Sequence, residues 1–142
     1  MGKVVLKSYG VKTPREGMID ITDTVRQALS DAMEENNLTR EEANGNVLVF
    51  CPHTTAAITI NENADPDVQH DWILGLNKAY PDDPRYIHAE GNSPAHMKSS
   101  VVGCSETVIV NNGDLLLGMW QGIYFCEFDG PRNRTFYVQI NL

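Results

Sequence analysis

Three of the four histidines, His53, His88 and His96, fall in two short polar segments, Cys51-Pro52-His53-Thr54-Thr55 and His88-Ala89-Glu90-Gly91-Asn92-Ser93-Pro94-Ala95-His96. Imidazole, carboxylate, amide and hydroxyl groups at this density make the donor set of a site for a metal, a phosphate, or both. His88 and Glu90, two apart in an extended stretch, would point the same way and could meet His96 across the turn. With His53 they would give three nitrogens for a divalent ion, zinc or magnesium. Glu90 would be a fourth ligand, or would orient one from behind, or act as a base.

Ser93-Pro94 is a cap followed by a first-position proline, so a helix is expected from there to about Val102, stopped by Gly103. On that helix His96, Ser99 and Ser100 would share one face. Gly91 and Asn92 would lead a flexible backbone to its N-terminus, where free N–H groups favour an anion. Thr54 and Thr55 add hydroxyls beside His53, or only satisfy their own turn. Asn61-Glu62-Asn63-Ala64-Asp65 gathers further amides and carboxylates; Asp65 has a structural role as a helix cap, and Glu62 has none. Glu127, Asp129 and Arg132 lie in a Gly-Pro turn with Arg134 following, and Arg132 suits bidentate phosphate recognition.

Two other chemistries are excluded or disfavoured. His88-x-Glu90 opens like a zinc deaminase signature, but no Pro-Cys-x-x-Cys follows. Cys51, Ser99 and Ser100 lie in no nucleophile-elbow sequence, and Cys51 reads as an inert buried thiol.

The elements that must position these groups are short. Alternation predicts strands over Lys3–Tyr9 and Ala56–Asn61, with a shorter one at Met18–Ile21. The apolar run Asn46–Cys51 reads as a strand buried on both faces. A helix capped by Asp20 or Thr22 carries Val25, Leu29, Ala32 and Met33 on one side and ends at Asn36-Asn37. Asp65-Pro66 opens a second, with Val68, Trp72, Leu76 and Ala79 inward and His70 outward. Thr39 and Glu42 fit a capping box on a turn or two only. Glu106–Val110, the Asn111-Asn112-Gly113-Asp114 turn, Leu115–Phe128 and Thr135–Leu142 predict a three-stranded meander, with Gly118 and Gly122 marking bulges or close approaches. The fold class is α+β, a single compact domain over residues 1–142 with an antiparallel or mixed sheet and about three helices.

Composition bounds the partners. Eleven basic against nineteen acidic side chains give a net charge of -8, a field that repels nucleic acid and anionic lipid but leaves room for a local anion pocket. Three widely spaced cysteines read as reduced thiols. No signal peptide or membrane-spanning run is apparent, so a cytoplasmic location is expected.

Pro52-His53-Thr54-Thr55, Asn61-Glu62-Asn63-Ala64-Asp65, His88 with Glu90-Gly91-Asn92, Ala95-His96 with Ser99-Ser100, and Gly118 with Trp120-Gln121 together resemble the YjbQ family, also called UPF0047 or the secondary thiamine-phosphate synthase family. The resemblance runs from about Gly17 to Ile140. It implies a compact α+β subunit in a homotrimer, with a histidine-bearing pocket near a subunit boundary. It also implies a weak synthase activity joining a hydroxymethylpyrimidine diphosphate to a thiazole phosphate. On that reading His53, Glu90, His96 and Arg132 carry the chemistry. Thr54, Thr55, Asn61, Glu62, Gly91, Asn92, Ser99, Ser100, Gln121, Glu127 and Asp129 bind the phosphorylated metabolite. Met119 stands where the family has threonine in its Gly-Thr-Trp-Gln tetrad, and the Asp129–Arg132 turn is present in only part of the family.

Overall fold

A computed structural model describes residues 2–142. Eight strands and three helices follow one another as β1 (Val4–Lys12), β2 (Gly17–Asp20), α1 (Thr22–Glu35), β3 (Gly45–Phe50), β4 (Ala56–Glu62), α2 (Pro66–Ala79), α3 (Ser93–Val102), β5 (Ser105–Asn111), β6 (Asp114–Leu115), β7 (Gln121–Glu127) and β8 (Asn133–Asn141). They form two antiparallel sheets, ordered β1-β8-β3-β5-β6 and β2-β7-β4. The α+β class and the three helices are as expected.

The main core lies between the sheets. Val47, Val49, Val108, Phe136, Val138 and Ile140 of the larger sheet meet Ala56, Ile58, Ile123 and Phe125 of the smaller one, and the Val25–Ala28–Leu29–Ala32 face of α1 completes the cluster. Alternation puts Ala57, Tyr124 and Cys126 on the smaller sheet's opposite face, where they pack with Ala95, Phe128, Trp72 and Leu76. α2 and α3 therefore form an outer layer there. The α2 stripe is shallower than its periodicity predicts, because no α2 residue is fully buried. The N-cap of α1 is Ile21 and not Asp20 or Thr22; Asp20, one residue earlier, accepts from the Thr22 amide (2.9 Å) and hydroxyl (2.5 Å), while that hydroxyl accepts from Ile123 N–H at 2.8 Å and ties the helix to β7.

Three expectations need correction. β3 is buried on one face only, since Leu48 is half-buried and Phe50 is 39% exposed. Its apolar run gives two apolar faces, one of which has no covering layer among the described residues. Leu115–Phe128 is not one strand. β6 pairs with β5 through an Asn112-Gly113 turn with both φ positive, and after Leu116–Trp120 the chain joins the other sheet as β7. The glycine signal at Gly118 marked this crossing, and a Cβ on Gly122 would lie 2.7 Å from the Asn63 side chain. The meander is accordingly absent, because β8 pairs with β1 and β3.

Candidate functional site

At one end of the sandwich the last residue of β7, Glu127, occupies a core-facing position with no exposed surface. Burial alone would push its carboxyl up. Hydrogen bonds from Arg134 and Thr13 and from the Asp129 amide outweigh that, and the net shift is downward. Arg134 of β8 grips it with two bonds, Nε to Oε1 at 2.7 Å and Nη2 to Oε2 at 2.6 Å, and Nη2 also donates to Thr55 Oγ1 at 2.8 Å. Thr13 Oγ1 adds a 2.6 Å bond to Oε1. The pair joins a strand of one sheet to a strand of the other. Arg134 is 7% exposed, and its remaining nitrogen, Nη1, makes no hydrogen bond among the described residues yet is not sealed from solvent.

That guanidinium borders a cavity of about 350 Å³ lined also by His53, Thr54, His88, Glu90, Asn92, His96 and Arg132. The two histidine segments therefore do converge. His53 sits just beyond β3, edge-on to Phe125, with Nε2 2.9 Å from the Thr135 amide nitrogen and 3.1 Å from its carbonyl oxygen. In either neutral tautomer Nε2 is engaged by that peptide, leaving Nδ1 for other chemistry. Burial, and then the nearby Arg134 charge, hold the imidazole below its usual range. His88 and His96 meet edge to face with centroids 5.2 Å apart. His88 and Glu90 belong to a turn closed by Gly91 N–H to His88 O at 3.0 Å, not to an extended stretch, and Gly91 supplies the positive φ of 73°.

Beside the cavity Asp129 organises the turn. Its Oδ2 accepts from Asn92 Nδ2 at 2.8 Å and Arg132 Nη2 at 3.0 Å, while its carbonyl accepts from Arg132 Nε at 2.7 Å. Burial would raise its carboxyl, but the Asn92 and Arg132 bonds bring it down overall. Gly130 is required here, because a Cβ would stand 2.0 Å from the Pro14 carbonyl oxygen. The first residue before α3, Asn92, leaves its buried Oδ1 without a partner.

Several expected site residues lie elsewhere. Ser99 is buried with its hydroxyl donated to Ala56 O at 2.7 Å, and Ser100 is exposed outside the cavity lining. Asn61, Glu62 and Gln121 sit at the far end of the smaller sheet, where Glu62 pairs with Gln121. Glu62 lies six strand positions from Ala56, roughly 20 Å at strand rise. Asn61 Oδ1 accepts from Glu62 N–H, and the Glu62 carbonyl from Tyr124 and Gln69. Glu127 acts through Arg134 and does not line the cavity. Arg134 is the residue to which the sequence reading gave no role; Arg132 precedes β8 and is exposed, whereas Arg134 is the second residue of β8 and is buried.

As a metal centre the pocket fits in part. Among the described residues no three His, Cys, Asp or Glu side chains converge on one point. The pair His88 and His96 is what it offers, and two imidazoles suit zinc better than magnesium. The cysteines are all free; burial raises the Cys51 and Cys126 thiols, which keeps them unreactive. No helix among the described residues is long and apolar enough to cross a membrane.

A family model described as UPF0047 protein YjbQ-like matches residues 7–142. UPF0047 protein YugU of Bacillus subtilis is 53% identical over 138 residues, 96% of this chain and 98% of that protein. A UPF0047 protein of Methanocaldococcus jannaschii is 50% identical over 96% of this chain and 94% of its own length. Among solved structures, an uncharacterised YjbQ/UPF0047 protein of Clostridium acetobutylicum is 50% identical with a TM-score of 0.85, over 94% of this chain and 98% of that one. A YbjQ-like protein of unknown function from Sulfolobus solfataricus is 29% identical with a TM-score of 0.87, over 99% of each chain.

Proposed function

Because the chain belongs to the UPF0047 YjbQ-like family, we propose that it is a phosphometabolite enzyme with a secondary thiamine-phosphate synthase activity. The carrying observation is Arg134, a buried guanidinium pinned by Glu127 in a residue that lines the histidine cavity. A preorganised cation of this kind spends no reorganisation energy when charge develops on a leaving group. Arg132, held by Asp129 at the rim, adds a second guanidinium.

In this reading the bond between the pyrimidine methylene carbon and the diphosphate oxygen breaks, and a new bond forms between that carbon and the thiazole nitrogen. The diphosphate leaves with its electron pair, stabilised by Arg134 and Arg132. The thiazole nitrogen attacks with its lone pair and loses no proton, so Glu90, which also lines the pocket, serves to orient a ligand there. His53, tied to Thr135 through Nε2, lines the pocket and donates or accepts through Nδ1. His88 and His96 would be the residues to hold a divalent ion, which would supply neutralisation of diphosphate charge.

The proposal takes the protein as a homotrimer in the cytoplasm. Support for assembly comes from the uncovered outer face of the larger sheet, where Val4 and Leu6 are 65% and 64% exposed beside Leu48 and Phe50. The experiment is product formation from the pyrimidine diphosphate, the thiazole phosphate and Mg2+ with purified protein. Product is expected from the wild type and not from His53→Ala or Arg134→Met.

A second reading, a non-catalytic sensor of a phosphorylated metabolite, is favoured by one observation. No cavity histidine is hydrogen-bonded to a carboxylate among the described residues, so none is set up as an activated base. Phosphate binding without turnover of the two substrates would select it.

A further inference from the structure

Two cavities share the His88–His96 pair in their linings. One is the polar pocket with the two arginines. The other, about 290 Å³, is a predominantly apolar depression lined by His88, Ser93, His96 and Met97, and the phosphate chemistry above makes no use of it. We infer that this depression is a subsite for the apolar part of an organic phosphate whose phosphoryl group is held by Arg134, and that Met97 determines specificity there.

This inference rests on the phosphate reading of the neighbouring pocket. The two cavities share both imidazoles, so one ligand that fills them must pass its connecting atoms along the His88–His96 pair. Met97 is half-buried and next in chain to His96. A thioether side chain with three rotatable bonds adapts to a flat ring or a short chain without demanding a particular shape. The depression is bordered by four residues only, far short of the ~800 Å² per partner that a stable protein interface buries. Its continuity with a phosphate pocket makes a small amphipathic ligand the occupant. The substrate class is therefore a phosphate or diphosphate ester with an apolar or aromatic group within a few bonds of phosphorus; a sugar phosphate would leave the thioether uncovered.

The test is calorimetric titration of the full chain with two probes, inorganic phosphate and phenyl phosphate. Burying the ring against Met97 is expected to make phenyl phosphate bind about tenfold more tightly. Met97→Gln, close in shape but polar, is expected to erase that preference while leaving inorganic phosphate within about twofold of wild type, and Met97→Leu to retain it. Equal binding of the two probes by the wild type overturns the subsite while leaving the phosphate pocket standing. So does a Met97→Gln variant that weakens both probes alike. Failure of wild type to bind either probe overturns the pocket reading and this inference with it.

Discussion

His53 Nε2 lies 2.9 Å from the amide nitrogen of Thr135, the residue that follows Arg134 on β8. One side chain is thus fixed to the backbone of the strand that delivers the cavity's buried cation. The imidazole is desolvated and beside a positive charge, both of which favour its neutral form. Its NMR titration midpoint is expected below 6.5, the ordinary value, and Arg134→Met should raise it. A histidine depressed in the fold stabilises it above the unfolded-state value and loses that contribution as pH falls through the folded one. A midpoint at or above 6.5 would contradict the desolvated placement.

Glu127 should govern acid stability. At pH 7 Glu127→Gln is expected to cost about 3 kcal/mol, because Arg134 stays buried without its counter-charge. A depressed carboxyl stabilises above its unfolded-state value, so the difference between wild type and variant should narrow as pH falls below 4.5. Denaturant melts across pH would show this; a deficit that holds constant down to pH 3 would place the energy in packing instead of charge.

The two arginines should contribute unequally to anion affinity. Arg134→Lys loses a fixed planar donor set and is expected to weaken inorganic phosphate about tenfold or more, whereas Arg132→Lys, half-exposed at the rim, should lose only a few-fold. Calorimetry compares them directly. Equal losses would put the anion nearer the Asp129 turn.

Metal content distinguishes the histidines. Elemental analysis of His96→Ala is expected to find zinc at background, and of His53→Ala to find it retained, since His53 Nε2 is held by the Thr135 peptide. Unchanged zinc in His96→Ala would remove that residue from any metal site.

Assembly should depend on the uncovered sheet face. Leu6→Glu is expected to convert the proposed trimer to monomer by light scattering, with far-UV circular dichroism retained, because Leu6 is 64% exposed within the subunit. An unchanged mass would assign the contact to another surface.

The fold was legible where period and punctuation agreed. Asp65-Pro66 and Ser93-Pro94 marked two helix starts, and Asn112-Gly113 a hairpin, because each depends on local backbone preference. Leu115–Phe128 misled because an apolar run carries no record of which sheet each half joins; the exchange at Gly118 is a tertiary choice. The histidine convergence was readable as a tendency of two polar segments, yet Ser99 pointed inward because the Ala56 carbonyl claimed its hydroxyl. Arg134 was obscured for a related reason. Its meaning comes from Glu127 seven residues earlier on a strand of the other sheet.

β1 has a single neighbour, β8, in a register running from Val4–Asn141 to Lys12–Asn133, and Leu142 N–H returns to Lys3 O at 2.8 Å. The first of the described strands therefore waits for the last of them before it gains a hydrogen-bonded partner, and the strand it waits for is the one that carries Arg134. The chain between Lys12 and Asn133 must be gathered into one loop for that edge to close, a search whose entropy weighs on the folding rate more than on final stability. A circular permutant that joins the two ends through a short linker would turn this most distant pairing into a local hairpin and hasten assembly of the arginine floor.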